Sequence, residues 1–105
     1  MRIWKGWDMA DKWTPATLIY TGHALRQMFE RQIDTDAVHH VVEHGQTIAE
    51  YPDDRPCPSR LLLAFVNGRP IHVVLGYDED QDIGYIVTAY VPDPDIWQPD
   101  FKRRR

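Results

Sequence analysis

A histidine and a tyrosine in the second half of the chain could together carry out acid–base chemistry. His72 and Tyr90 lie in two successive segments rich in β-branched and aromatic residues, a composition that predicts neighbouring strands. Arg60, in the preceding predicted strand, is a third candidate for the same surface. A histidine can move a proton near neutral pH, an arginine can stabilise charge on a phosphoryl group, and a tyrosine can donate a hydrogen bond or stack. These residue types therefore suit the cleavage of a phosphodiester.

The alternation of side chains along a strand decides which of these residues could share a surface. It predicts that His72, Thr88 and Tyr90 face outward from an open sheet, while their sequence neighbours lie beneath helices. The predicted outward set is His72, Val74, Gly76, Ile86, Thr88 and Tyr90, and the predicted buried set is Ile71, Val73, Leu75, Tyr85, Val87 and Ala89. The alternative is that His72 and Tyr90 are half-buried sheet residues whose hydrogen bonds fix the strand register.

Further polar candidates lie on the first predicted helix. His23, Arg26, Gln27 and Glu30 fall on its polar side, and most such faces are only solvated. His23 differs because a side chain in the first turn can reach past the helix end toward the rim of the sheet. The helix N-terminus would, however, disfavour a charged imidazole at that position.

The segment from His40 to His44 has the H-x-x-E-H spacing of the inverted zinc metallopeptidases. At about 100° per residue, His40 and Glu43 point away from the apolar side of their helix. A catalytic zinc needs a third protein ligand and an enclosed site. The sequence shows no evident third ligand near a helix that stops at Gly45, and no evident way to enclose the site. We therefore expect no metal here and interpret the histidines as favourable charges at a helix C-terminus.

Cys57, the only cysteine, lies in the proline-rich loop 51–59 and has no partner at metal-ligand spacing. We interpret it as a loop residue rather than a nucleophile, and the loop as a rigid connection between strands.

Length and composition limit the classes of protein that are possible. A chain of 105 residues with 43% hydrophobic and 27% charged residues predicts one globular domain. The net charge of −4 argues against indiscriminate nucleic-acid binding, although residues 102–105 are all cationic. The absence of an apolar run of about 20 residues, of a signal-peptide pattern and of a cysteine pair predicts a soluble cytoplasmic protein with no membrane partner.

The predicted elements place the candidate residues in an α+β domain. Thr21 caps a first helix over residues 22–32, and Asp34 or Thr35 caps a second that ends at a left-handed Gly45. Asn67-Gly68 predicts a tight hairpin. Four strands are predicted over 47–51, 60–66, 70–77 and 84–91. Two helices would thus pack on one face of a four-stranded antiparallel sheet in two layers. The predicted boundaries are an extension over 1–19, a domain over 20–98 and a basic tail over 99–105.

Several ordered segments resemble one family. They are His23-Ala24-Leu25-Arg26-Gln27-Met28, Arg31-Gln32-Ile33, Glu50-Tyr51-Pro52-Asp53-Asp54-Arg55-Pro56, Pro58-Ser59, Gly68-Arg69-Pro70-Ile71-His72-Val73-Val74, Thr88-Ala89-Tyr90, Pro92-Asp93 and Trp97. Together they resemble domain of unknown function 4258 (DUF4258), over roughly residues 20–98. The family is in turn distantly similar to the RelE-like and MqsR-like toxins. The resemblance implies an RNA-cleaving toxin with a small zinc-finger antitoxin as partner. Its matched polar positions are His23, Arg26, Arg31, Asp53, Ser59, His72 and Tyr90.

Two hypotheses of function follow from these residues. The first is a metal-independent, cofactor-free endoribonuclease that uses the RNA 2′-hydroxyl as nucleophile. In it His72 and His23 transfer protons and Tyr90 assists, while the RNA phosphates are bound by Arg26, Arg31 and Arg60. The second is a non-catalytic module of the same fold that holds a protein partner on its sheet face or on an edge strand.

Overall fold

The computed structural model describes residues 12–105, in which two helices cover one face of a five-stranded sheet. The elements are β1 (Thr17–Tyr20), α1 (Gly22–Arg31), α2 (Thr35–His44), β2 (Gln46–Tyr51), β3 (Ser59–Val66), β4 (Arg69–Asp78) and β5 (Ile83–Tyr90). The strand order is β1-β5-β4-β3-β2. The α+β class, the two helices and the antiparallel meander from β2 to β5 are as predicted.

The prediction of four antiparallel strands is wrong, because β1 adds a fifth strand parallel to β5. Thr17 lies opposite Ile83 and Tyr20 lies opposite Ile86. Local periodicity misses a strand of only four residues whose hydrogen-bonding partner is at the far end of the chain. The strand crosses the boundary predicted after residue 19. Residues 1–11 of the predicted extension lie outside the described residues.

Both helices begin at the residues that the sequence indicates. The Thr21 hydroxyl oxygen accepts a hydrogen bond from the Ala24 N–H at 3.0 Å, and Asp34 Oδ1 accepts one from the Ala37 N–H at 2.8 Å. These bonds satisfy N–H groups that have no partner within the helix. Of the two caps considered for α2, Asp34 is the one used.

The end of α1 is held by an arginine from the sheet. Gln32 adopts the left-handed conformation, with φ of 55°. The Arg69 guanidinium donates to the carbonyl oxygens of Arg31 and Gln32 at 3.0 and 2.9 Å. Because the last carbonyls of a helix lack intrahelical donors, Arg69 joins the end of α1 to the start of β4.

Gly45 is not the left-handed cap that the sequence predicts. Its φ is −69° and its ψ is 155°, so the chain passes from α2 directly into an extended strand. A Cβ at this position would collide with the Val41 carbonyl oxygen and lie 3.2 Å from the Leu63 carbonyl oxygen. Gly45 is therefore required by the close approach of three backbone segments and not by a positive φ.

The Asn67-Gly68 turn has the conformation that its sequence predicts. Asn67 and Gly68 have φ of 53° and 80°. Two consecutive positive φ values characterise the type I′ turn, whose twist matches that of a β-hairpin. The turn sets the register of β3 and β4, in which Leu63 lies opposite His72.

A β-bulge in β5 breaks the alternation that the sequence predicts. Val74 pairs with Thr88 and Leu75 pairs with Ile86, which leaves Val87 without an opposite residue. Ile86 is consequently buried under the helices, whereas Val87 is 41% exposed. The side of the sheet predicted for each residue of β5 is wrong from Tyr85 to Val87 and right from Thr88 to Tyr90.

One apolar core lies between the helices and the sheet. Its buried members are Ala24, Met28, Ile33, Ala37, Val38, Val41, Val42, Leu62, Ile71, Val73, Leu75, Ile86 and Ala89. Helix α1 packs on β5, and α2 packs on β3 and β4. The helices therefore occupy one face of the sheet, and His72, next to Ile71 and Val73 on β4, points to the opposite face.

Two glycine substitutions test the account of Gly45. Gly45→Ala should lower the free energy of unfolding by about 1–3 kcal/mol, because the added methyl group meets backbone that cannot easily move. Gly22→Ala is the matched control, since a Cβ there has nothing within 4 Å. Urea unfolding of both variants measures the difference. A Gly45→Ala protein as stable as Gly22→Ala would contradict the close-approach argument.

Candidate functional site

His72 lies at the centre of the sheet face that the helices leave uncovered. It is opposite Leu63 on one neighbouring strand and Tyr90 on the other. The outward direction predicted for His72 is right, but the predicted exposure is wrong, because the residue is 0% exposed. The sheet is therefore not open at this position.

The covering of His72 comes from the chain after β5, the C-terminal segment (residues 92–105). The Trp97 indole is 7% exposed and meets the His72 ring edge to face, with the ring centroids 4.6 Å apart and the planes at 90°. The Phe101 carbonyl oxygen lies 2.7 Å from His72 Nε2. An aromatic side chain and a backbone carbonyl thus replace solvent around the imidazole.

The hydrogen-bond partners of His72 define its tautomer. A carbonyl oxygen can only accept, so Nε2 carries the proton donated to Phe101. Nδ1 lies 3.2 Å from the Tyr90 hydroxyl and accepts from it. Burial lowers the pKa of His72 below its ordinary value of 6.5, and the hydrogen bond to Phe101 opposes this shift only in part. His72 is therefore uncharged near neutral pH while the C-terminal segment covers it.

Tyr90 completes the pair. Its ring lies edge to face on His72 with a centroid distance of 5.3 Å. Burial raises the pKa of the Tyr90 hydroxyl, so the hydroxyl keeps its proton near neutral pH. A protonated phenol can donate to Nδ1 when that nitrogen is bare and accept from it when that nitrogen carries hydrogen. The pair can therefore hold either neutral tautomer of the imidazole.

The other predicted site residues do not join this pair. His23, Arg26 and Arg31 are exposed on α1, which packs on the opposite face of the sheet. Arg60 lies opposite Leu75 in the register and hence on the helix side. There its guanidinium contacts Glu50 at 3.3 Å and lies 4.0 Å from the Trp13 ring centroid. Of the predicted set, only His72 and Tyr90 come together.

Sequence reasoning did not identify Trp97 and Phe101 as neighbours of His72, or Arg104 as a neighbour of Trp97. Trp97 and Phe101 contact the imidazole, and the Arg104 guanidinium lies 5.3 Å from the Trp97 ring centroid. The available signal was the presence of Ile96, Trp97 and Phe101 in a stretch otherwise made of polar, charged and proline residues, which is unusual for a solvated tail. Their partner could not be inferred, because a stretch without periodicity carries no information about which face it covers.

The loop before β3 is held by a hydrogen bond between Ser59, one of the matched polar positions, and Asp54. Ser59 is buried, and its hydroxyl donates to Asp54 Oδ2 at 2.5 Å. Burial raises the pKa of the half-buried Cys57 thiol, which makes the reactive thiolate less available. Ser59 and Asp54 thus have an evident structural role in fixing this loop.

The H-x-x-E-H residues lie on the solvent side of α2. His40, Glu43 and His44 are exposed, and the rings of His40 and His44 are 4.9 Å apart. Among residues 12–105, no three or more His, Cys, Asp or Glu side chains are grouped closely enough to hold a metal ion.

The described fold is a small α+β domain with a buried histidine–tyrosine pair on the sheet face away from its helices. The chain belongs to the family described as domain of unknown function (DUF4258), whose model matches residues 20–91. The matched residues include His72 and Tyr90 but not the C-terminal segment. Neither the curated proteins nor the solved structures contain a match to the chain. Within residues 12–105, neither helix has the length and apolar character needed to span a bilayer.

The depressed pKa of His72 predicts a pH dependence of stability. In the unfolded chain His72 takes up a proton near its ordinary pKa of 6.5, whereas the folded protein holds it neutral to lower pH. Its contribution is therefore present above pH 6.5 and lost as the pH falls through the folded pKa. Urea unfolding at about pH 8 and about pH 5 should show a smaller loss in His72→Gln than in the wild type.

The control for this measurement is His23→Gln, which changes an exposed histidine on α1 and should keep the wild-type difference. Equal pH dependence in His72→Gln and the wild type would show that burial does not depress the pKa of His72.

Proposed function

We propose that the protein is a metal-independent endoribonuclease of the toxin type, with His72 as its general base and Tyr90 as the residue that orients it. The observation that carries the proposal is the His72–Tyr90 hydrogen bond in the middle of the sheet face, within the family's matched residues. The Tyr90 hydroxyl holds Nδ1 of His72, and Nε2 is bonded to the carbonyl of Phe101 in the C-terminal segment. If that segment moves away, Nε2 can take part in proton transfer. The proposal includes the distant similarity to RelE-like and MqsR-like toxins and, with it, a small zinc-finger antitoxin as partner.

The proposed reaction begins when the Phe101 carbonyl has left Nε2. Tyr90 then accepts a hydrogen bond from Nδ1–H, and the bare Nε2 takes the proton of an RNA 2′-hydroxyl. The 2′-oxygen forms a bond to the neighbouring phosphorus while the bond to the 5′-oxygen breaks, and the leaving oxygen takes a proton from water or from an acid. The products are a 2′,3′-cyclic phosphate and a 5′-hydroxyl. DNA lacks the nucleophile and should remain intact.

The phosphate contacts of this proposal differ from those that the sequence predicted. Arg26, Arg31 and Arg60 lie on the helix side of the sheet, so a phosphate held by them would be separated from His72 by the sheet. Residues 102–105 are all cationic and belong to the segment that covers His72. We therefore assign binding of the RNA phosphates to these terminal cations, after the segment has moved away from His72.

Induced expression with examination of cellular RNA tests the proposal. The wild type should arrest growth and produce new RNA ends with cyclic phosphates, and purified protein should cleave RNA in the presence of EDTA. His72→Gln should reduce cleavage roughly 10²- to 10⁴-fold, the usual contribution of a general base. Tyr90→Phe, which removes only the hydroxyl, should reduce it less. Tyr85→Phe, in the same strand, is the matched control and should cleave like the wild type.

Intact RNA and normal growth with folded, soluble wild-type protein, and also with a folded Trp97→Ala variant in which the cover over His72 is weakened, would count against the ribonuclease function. Cleavage that requires added metal, or equal cleavage of DNA, would rule out the proposed chemistry.

The second candidate function, a protein-binding module without catalysis, is favoured by a different surface. Leu25 and Phe29 lie one turn apart on the outer side of α1 and are 51% and 87% exposed. Exposed apolar pairs of this kind often mark protein interaction sites. In this function His72 and Tyr90 serve only to hold the fold, and RNA cleavage lost specifically in Tyr90→Phe would exclude it.

A further inference from the structure

We propose that the C-terminal segment is an autoinhibitory cover of the His72 site, which must leave the sheet before RNA can reach the imidazole. The inference rests on the proposed ribonuclease function and adds its regulation. It concerns the closed arrangement of the segment, in which the nitrogen needed for proton transfer is already occupied.

The first argument is the complete occlusion of the base. His72 is 0% exposed, its Nε2 donates to the Phe101 carbonyl at 2.7 Å, and its ring meets the Trp97 indole. A 2′-hydroxyl must come within hydrogen-bond distance of the nitrogen that takes its proton. The Phe101 carbonyl oxygen occupies that position, so base and substrate cannot meet while the segment is in place.

The second argument is that the segment is largely bonded to itself. The Gln98 N–H donates to the Arg103 carbonyl and the Arg105 N–H donates to the Ile96 carbonyl, both at 2.8 Å. Trp97 and Arg104 form an isolated antiparallel bridge. Asp100 pairs with Arg103 at 3.0 Å. Lifting the segment from the sheet would keep these bonds, since each joins two of its own residues.

The third argument is that the contacts of the segment with His72 come from two residues, Trp97 and Phe101. Elsewhere the segment meets the sheet through Phe101, whose ring centroid lies 6.3 Å from that of Phe65, and its Pro92 is buried. The family match ends at residue 91, before the segment begins. The cover therefore lies outside the residues that the family model matches, and its described contacts with the imidazole are those of Trp97 and of the Phe101 carbonyl.

Variants of the full-length chain test this inference with two separate measurements. Trp97→Ala removes the aromatic anchor, and Ile96→Ala, which truncates a 45% exposed neighbour in the same segment, is the matched control. Accessibility of His72 is measured by diethylpyrocarbonate modification with peptide mass spectrometry, using exposed His23 as the internal reference. Cleavage of a single-stranded RNA oligonucleotide is measured in EDTA with the same samples.

The expected result is that His72 is modified slowly in the wild type and in Ile96→Ala, and at least ten times faster relative to His23 in Trp97→Ala. RNA cleavage should rise by a similar factor in Trp97→Ala alone. Circular dichroism verifies that each variant is folded. If Trp97→Ala unfolds, Trp97→Leu keeps an apolar side chain and should give the same changes to a smaller extent.

The outcomes separate this inference from the function on which it rests. Wild-type cleavage as fast as that of Trp97→Ala, with His72 accessible in both, would overturn the cover and support the ribonuclease. Faster modification of His72 without cleavage by any variant would overturn the ribonuclease and support the segment as the group that closes this face. Slow modification of His72 in every folded variant would overturn the cover, because the segment would then be a fixed part of the domain.

Discussion

A buried imidazole must have both nitrogens paired, and this requirement organises the sheet face opposite the helices. Burying a polar group without a hydrogen-bond partner destabilises the folded state by as much free energy as several favourable contacts contribute. His72 meets the requirement with the Tyr90 hydroxyl on one side and the Phe101 carbonyl on the other. The first bond ties together two neighbouring strands, and the second ties the C-terminal segment to the sheet. Exclusion of water by Trp97 then keeps the imidazole neutral, so packing and protonation state have the same cause.

The bulge at Val87 changes the face of the sheet to which successive side chains of β5 point. Before the bulge, Ile86 points into the core beneath α1, and after it Tyr90 points to the opposite face beside His72. The Val87 carbonyl also accepts a hydrogen bond from the Thr21 hydroxyl at 3.0 Å, which fixes the start of α1 against the strand. One extra residue thus changes the side-chain alternation and anchors a helix.

The sheet separates the polar residues into two groups with different surroundings. Arg26 and Arg31 belong to the helix layer, where their side chains are exposed. Arg60 lies on the same side, next to Glu50 and Trp13. His72 and Tyr90 lie on the other side with Trp97 and Phe101. Both helices pack on the same face of the sheet, and residues 12–105 of this small domain contain no further helix for the opposite face. The C-terminal segment covers His72 on that opposite face.

The sequence by itself determined the elements that depend on local chemistry. The caps at Thr21 and Asp34, the Asn67-Gly68 turn, the meander and the outward direction of His72 and Tyr90 follow from short-range hydrogen bonding, backbone preference and a two-residue period. The tertiary structure alone decided what depends on segments far apart in the chain. These features are the parallel strand β1, the bulge, the backbone contact that requires Gly45 and the burial of His72 under Trp97 and Phe101. Each arises from a partner that local periodicity does not identify, because side-chain alternation indicates that a residue points outward but not what will cover it.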